Sequence, residues 1–287
     1  MNIFRFNPLS AFFNGTVLTL SLVGGYAHAA DYCEPESSES LSPYDNTSGS
    51  TRSVLGIAKH QYQGDGGKYD CISYSEMLDG DYANNTVGGS NYFYFAEESG
   101  VGDSLYFKVD ESVTSRTELR LESFQADTVS PAPEFGGTFK IRGSSADRST
   151  EFTVAQLHID QNTTTDSDAI TSSPMLRIAY YESRSGLDDH LWAVFRTDPD
   201  FNGSGGYEYQ DLGEALFGSS NENSFLMTYG TDGGDTITVT GNGEEVDFDI
   251  SKWTQSDIDI YNKAGCYTDG DVGDCQIQYT SLEHDNY

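Results

Sequence analysis

The sequence predicts an all-β protein, a sandwich of two antiparallel sheets with the proportions of one large jelly roll. Three observations predict it. Ten segments alternate apolar and polar residues with a period of two, the pattern of half-buried strands. Clusters of Gly, Asn and Asp separate them at short intervals. Helical signals are brief, and Asp211 to Phe217 is the best of them. Many short strands with regular turns make a sandwich or a barrel. The roughly 230 residues that follow position 50 suit a single domain of that kind.

In chain order, alternation places strands at Asn91 to Phe95, Ser104 to Val109, Thr117 to Phe124, Thr138 to Arg142 and Phe152 to Asp160. It continues at Met175 to Tyr181, Leu191 to Arg196, Ser224 to Tyr229, Thr236 to Thr240 and Gln276 to Tyr279. The turns between them are expected at Gly64 to Gly67, Gly88-Gly89, Gly136-Gly137, Asn202 to Gly206, Asp232 to Asp235 and Gly241 to Gly243.

Residues 1–29 read as an export signal. Arg5 is their only charge, an apolar run centres on Val17, Leu18, Leu20, Leu22 and Val23, and Ala27-His28-Ala29 offers small residues where a signal peptidase cuts. A membrane anchor is the weaker reading, because the apolar run is short and ends at Gly24-Gly25. Residues 30–50, rich in Ser, Glu, Pro and Asp, read as an N-terminal arm. Residues 51–287 then form one domain without internal repeats.

Composition excludes several functions. The 287 residues carry 46 Asp and Glu against 15 Lys and Arg, a formal charge of −31. That lacks the basic footprint of a nucleic-acid binder. Aromatics at 13% argue against global disorder. After residue 30 no apolar stretch is long enough to cross a bilayer, so no membrane association is expected once the signal is removed. Such charge keeps an exported protein soluble at some cost in compactness, and salt would screen it.

The four cysteines are Cys33, Cys71, Cys266 and Cys275. An even number in an exported chain favours two disulfides, with three possible pairings. Cys33–Cys71 and Cys266–Cys275 are preferred. The first would staple the arm to the domain, and the second would close the acidic loop Asp269 to Asp274. Zinc would want tighter cysteine pairs and histidine partners. No metal site and no cofactor are expected.

Three segments carry candidate chemistry. In Ser115-Arg-Thr-Glu-Leu-Arg-Leu-Glu122, a strand places Arg116, Glu118 and Arg120 on one face and Thr117, Leu119 and Leu121 on the other. A solvated face with ion pairs is the ordinary reading. Basic residues are scarce here, however, and Glu118 would hold both guanidinium groups through paired hydrogen bonds. In Val154-Ala-Gln-Leu-His-Ile-Asp160, Gln156 and His158 share a face opposite Ala155, Leu157 and Ile159. A lone strand histidine is usually structural. In Tyr261-Asn-Lys-Ala-Gly-Cys-Tyr267, Lys263, Gly265 and Tyr267 share a face if the segment is extended. Gly265 would leave room for a ligand or for another backbone. The bland alternative is a surface tyrosine beside a disulfide.

Together these side chains suit an acidic sugar. In elimination across a uronate, the proton removed at C5 lies beside the carboxylate. Arg116 and Gln156 would bind that carboxylate and stabilise the enolate-like charge. His158 or Tyr267 would take the proton, and Tyr267 would return one to the leaving oxygen.

The three segments resemble motifs of the alginate lyases of polysaccharide lyase family 7: an R-(S/T)-E-L-R strand, a Q-(I/V)-H strand and a Y-x-K-A-G-x-Y strand. Here they are Arg116 to Arg120, Gln156-Leu-His158 and Tyr261 to Tyr267, in the family's order, within a resemblance spanning roughly residues 50 to 287. The resemblance implies a β-jelly roll with a concave substrate groove and endo-acting β-elimination on a 1,4-linked polyuronate. It implies that Arg116, Gln156 and His158 neutralise the carboxylate. Tyr267 would be the acid and base, with His158 as a possible base for guluronate, and Glu118, Arg120 and Lys263 would bind or support. Two positions depart from the pattern. Leu157 replaces the usual Ile or Val, which leaves mannuronate or guluronate preference unassigned. Thr268-Asp269-Gly270 replaces the Asn-Gln that often follows the last tyrosine. The expected protein is a secreted monomer, extracellular or periplasmic, whose partner is an acidic polysaccharide. Other readings are a lyase on another polyuronate such as glucuronan, a non-catalytic carbohydrate-binding jelly roll, and a calcium-stabilised surface protein suggested by Asp232 to Asp235 and Asp269 to Asp271.

Overall fold

The structure is a computed structural model and describes residues 34–35, 43–64, 69–79, 85–87, 90–98, 102–110, 114–127, 132–143, 147–201, 203, 206–231, 234–254, 257–268 and 273–285. Among these, seventeen strands form two antiparallel sheets. The first sheet has the order β1 (Glu34–Pro35), β4 (Asn85–Val87), β5 (Ser90–Glu98), β6 (Gly102–Val109), β17 (Cys275–Asp285), β8 (Glu134–Arg142), β13 (Asn223–Thr231), β14 (Thr236–Gly241) and β15 (Glu244–Asp249). The second has the order β12 (Tyr207–Glu214), β11 (Leu187–Arg196), β10 (Pro174–Arg184), β9 (Glu151–Ile159), β16 (Asp259–Tyr267), β7 (Thr114–Gln125), β2 (Ala58–Gly64) and β3 (Tyr69–Ile72). This is the predicted jelly-roll sandwich.

Alternation explains the layering. On β7, Leu119 and Leu121 are fully buried between the sheets, as are Ala155, Leu157 and Ile159 on β9. Phe93, Phe107, Phe139 and Tyr279 face them from the first sheet. The Tyr279 hydroxyl crosses the core to donate to the Val154 carbonyl at 2.5 Å. Burial raises its pKa, so it stays a neutral donor. His60, on the inner face of β2, is a core histidine that stacks on Phe93 and meets the Thr117 hydroxyl at 2.8 Å.

Local chemistry sets the connections. The β14–β15 hairpin turns at Asn242-Gly243, both at positive φ, as a two-residue turn requires. Among the described residues three short helices accompany the sheets: α1 (Pro43–Asn46), α2 (Gly49–Leu55) and α3 (Tyr74–Asp79). Val54 and Leu55 of α2 enter the core, and Thr51 bonds the backbone of Leu282 on β17.

The expected helix at Asp211 to Phe217 is corrected. Residues 211–214 end strand β12, paired with β11, and Phe217 forms a bridge with Ile141. Cross-strand pairing and burial of Leu212 and Ala215 outweigh a weak local propensity. Strands β1 to β4, β12 and β15 escaped the alternation analysis, and β16 was recognised only as a motif segment. The Cys266–Cys275 disulfide is present, with Cα atoms 6.1 Å apart, and joins the end of β16 to the start of β17 in the opposite sheet. The Cys33–Cys71 pairing, residues 1–29, Asp232 and the loop 269–272 lie outside the described residues.

Candidate active site

The three motif segments become neighbours in the middle of the second sheet. β16 lies between β7 and β9, with β2 and β10 flanking them. Directly opposed residues of antiparallel strands project from the same face. One row across the sheet therefore reads Lys59, Arg120, Lys263, Gln156 and Arg177. A second reads Gln63, Arg116, Tyr267 and Thr153. Residues drawn from between Lys59 and Tyr267 thus share one polar groove on the face away from the core.

Glu118 is the centre of the groove floor, with its side chain 1% exposed. Its Oε2 meets Arg116 Nε at 2.7 Å and Lys263 Nζ at 3.2 Å. Its Oε1 accepts from Gln156 Nε2 at 2.5 Å. An ionised carboxylate only accepts, so this contact fixes the glutamine amide: Nε2 faces Glu118 and Oε1 faces elsewhere. Among the described residues Gln156 Oε1 makes no hydrogen bond. Glu118 therefore orders three of the predicted residues at once.

Arg120 belongs to a different centre. The expectation that Glu118 would hold both guanidinium groups is corrected, because Arg120 Nη2 pairs with Asp160 Oδ2 at 2.7 Å. Asp160 also accepts from the Ser123 hydroxyl at 2.5 Å and from the Asn162 backbone at 3.0 Å. Burial alone would raise the Asp160 pKa. The hydrogen bonds and the Arg120 charge outweigh it and hold the carboxyl below its usual value. The Arg120 guanidinium lies 3.8 Å from the Tyr261 ring centroid, and His158 stacks on the same ring at 5.5 Å and 22°. Since β16 lies between β7 and β9, Tyr261 separates Arg120 from His158. Burial pushes the Tyr261 pKa up to about 12, so it serves as a neutral wedge.

His158 has a defined tautomer. Its Nδ1 lies 3.0 Å from the Ile159 carbonyl, which can only accept. A neutral imidazole there carries its proton on Nδ1 and its lone pair on Nε2. Tyr267 is half-buried at the end of β16, with the Arg116 guanidinium 4.1 Å from its ring centroid.

Gly265 has a clear reason. A Cβ there would sit 2.3 Å from the Thr117 carbonyl oxygen and 2.6 Å from Glu118 Cα. Of the two expectations for this glycine, the structure selects another backbone: β16 packs against β7 at the level of Glu118.

Above this floor lies a cavity of about 320 Å³, whose lining includes Arg116, Arg120, His158 and Lys263 of the predicted set. Gln156 is buried beneath, and Tyr267 joins through Arg116. The sequence reading missed Lys59 and Gln61 on β2, Tyr261 on β16 and Asp160. The signal for two of them was present. Asp160 continues the alternation of Gln156 and His158, and Tyr261 continues that of Lys263 and Tyr267.

The profile of the alginate lyase family matches residues 62–285. Among solved structures, alginate lyase AlyC3 in complex with dimannuronate is similar, at 20% identity over 85% of this chain and 94% of that one, with a TM-score of 0.63. A family 7 alginate lyase A1-II' variant in complex with product GGG has 16% identity over 86% and 100%, with a TM-score of 0.59. Alginate lyase PA1167 from Pseudomonas aeruginosa has 18% identity over 81% and 99%, with a TM-score of 0.55. At these identities the structural likeness speaks for the fold. No curated protein sequence matches this chain.

Proposed function

The chain belongs to the alginate lyase family and is a polysaccharide lyase, and we propose that it is an exported enzyme that cuts alginate within its chains by β-elimination. The observation that carries this reading is the convergence of Arg116, Lys263 and Gln156 on buried Glu118, beneath a groove that also holds His158. Such an array fits a substrate with repeating carboxylates. Strands stand about 4.8 Å apart, so cations on successive strands recur on the scale of one pyranose unit.

The chemistry follows from the positions. A uronate carboxylate seats against Arg116 and the second N–H of the Gln156 amide, with His158 alongside. These donors take up the negative charge that develops when C5 loses its proton. The proton passes to the Tyr267 oxygen as that hydroxyl gives its own proton to the oxygen leaving C4, or to the Nε2 lone pair of His158 where the C5–H bond points to the other side. In either case the Tyr267 hydroxyl proton goes to the leaving oxygen as its bond to C4 breaks, and the C4–C5 double bond forms. The Arg116 guanidinium stands over the Tyr267 ring, so the proton moves beside a fixed positive charge. Lys263 and Arg120 bind neighbouring carboxylates or keep their partners in place.

Internal cleavage is supported by a registered row of polar side chains that crosses five strands. Export is supported by the leader pattern of residues 1–29 and by the Cys266–Cys275 disulfide, which belongs to an oxidising compartment. The protein acts as a monomer in this reading. Leu157, which would bear on block preference, is buried in the core and touches substrate only indirectly.

The test is ultraviolet absorbance of unsaturated uronate, with purified mature protein and polymannuronate, polyguluronate or glucuronan. Growth on an alginate block is expected and assigns the preference. Growth on glucuronan alone would change the substrate. Silence on all three from folded protein would sink the catalytic reading in favour of a binding module.

A further inference from the structure

The groove face carries a second cluster of side chains, away from the three motif strands. Tyr181 of β10 and Trp192 of β11 pack there, with Tyr209 of β12 against them. Register places them on the same side as the candidate active site. Tyr209 ends the row that contains Lys263, Gln156 and Arg177, and Trp192 continues the row that contains Arg116 and Tyr267. Over this cluster lies Arg184, the last residue of β10. Its guanidinium carbon is 3.3 Å from the ring centroid of Tyr209, 4.8 Å from that of Tyr181 and 5.7 Å from that of Trp192.

Four other cations of this face have acids beside them. Arg116 and Lys263 have Glu118, Arg120 has Asp160 and Arg177 has Glu151. Arg184 forms no ion pair within 4.0 Å among the described residues, and its buried Nε makes no hydrogen bond there. Among the described residues this arginine is held by three rings and by no acid. Rings fix the plane of a guanidinium through its faces. Its two Nη groups then remain for a planar carboxylate, which they match in a two-point fork.

We propose that Arg184 in its aromatic cage is a distal subsite that binds the carboxylate of one uronate unit of the polymer. The proposal rests on the polyuronate reading above and extends it along the groove. From β16 to β12 is four strand spacings, roughly 19 Å, so the unit bound lies about four sugars from the bond that breaks. A trisaccharide spanning that bond does not reach it; a long chain does.

The experiment compares Arg184→Gln, Arg184→Lys and the unaltered protein on long polyuronate and on a trisaccharide, with melting measured alongside. Arg184→Gln is expected to lower kcat/KM on long chains about tenfold relative to the trisaccharide, equivalent to about 1.4 kcal/mol. The loss should fall in KM, and Arg184→Lys should restore part of it. Equal losses on both lengths would make Arg184 a structural residue and overturn the proposal, as would no loss at all. If the unaltered protein yields no unsaturated product from any polyuronate, the proposed function fails separately. Electrophoresis in native gels containing polymannuronate or polyguluronate then decides the subsite alone. Retardation that weakens in Arg184→Gln upholds it, and unchanged retardation overturns it.

Discussion

Replacing Glu118 by glutamine keeps the shape of the groove floor and removes the negative charge that Arg116 and Lys263 share. Two cations then remain buried, with side chains 4% exposed for Arg116 and 1% for Lys263. At an effective dielectric near 20, contacts at 2.7 and 3.2 Å each carry roughly 5 to 6 kcal/mol of gross attraction. Desolvation of three ions offsets most of that. Removing one partner of a buried pair nonetheless costs about 3 to 5 kcal/mol, because the other charge is left without compensation. For a domain of this size each kcal/mol moves the melting temperature by about 2 to 4 °C, so Glu118→Gln should melt roughly 6 to 20 °C lower. Differential scanning calorimetry reads this directly. Activity should fall more steeply, since Arg116, Gln156 and Lys263 lose their common anchor, and misplacement by about 1 Å can cost about a hundredfold. Adding Lys263→Met removes one of the stranded charges and should recover part of the stability, with a coupling of about 1 to 3 kcal/mol. A Glu118→Gln protein that melts within about 2 °C of the parent, or a double variant whose effects simply add, would refute the argument that Glu118 is an electrostatic keystone.

Further predictions concern the strands around it. Gly265→Ala should destabilise by about 3 kcal/mol or more and lower soluble yield, because its Cβ meets the β7 backbone rather than a side chain that can move; an unchanged urea midpoint would contradict the close approach of β16 and β7. Tyr267→Phe keeps the ring against Arg116 and removes the hydroxyl, so turnover should drop about 10²- to 10⁴-fold with melting nearly unchanged; full turnover would end the proposed role of Tyr267. Asp160 has a folded pKa below its unfolded value, so its contribution is present above about pH 4 and is lost as pH falls through the lowered value. Melting curves between pH 6 and 3 should therefore be flatter for Asp160→Asn than for the parent, and parallel curves would count against it. Activity on a polyanion should rise from low to moderate salt, because screening weakens the long-range repulsion of a −31 protein more than the close contacts in the groove; a steady decline from the lowest salt would argue otherwise.

The legibility of this protein differs by element. Strands whose inner face is strongly apolar, such as β7, β9 and β10, were evident because a period of two survives without any partner. β2, β12 and β15 were hidden. Lys59-His60-Gln61-Tyr62 puts a histidine and a tyrosine on the inner face, and Tyr207 to Glu214 shows polar residues on both faces, so neither has an apolar stripe to detect. The mistaken helix at Asp211 to Phe217 has the same origin, since only its pairing with β11 makes it a strand.

For the site, the sequence by itself determined which side chains share a face. Alternation on one strand is a local property, and it grouped Arg116 with Glu118 and Arg120, Gln156 with His158, and Lys263 with Tyr267. Partner choice across strands was decided only by the tertiary structure. The register of β16 between β7 and β9 gives Glu118 to Arg116, Lys263 and Gln156, and leaves Arg120 to Asp160. The same register carries the groove face on to Tyr209 and Trp192, under Arg184. Register depends on how two sheets close around a shared core, and that closure involves contacts between residues more than a hundred positions apart. No local pattern encodes it.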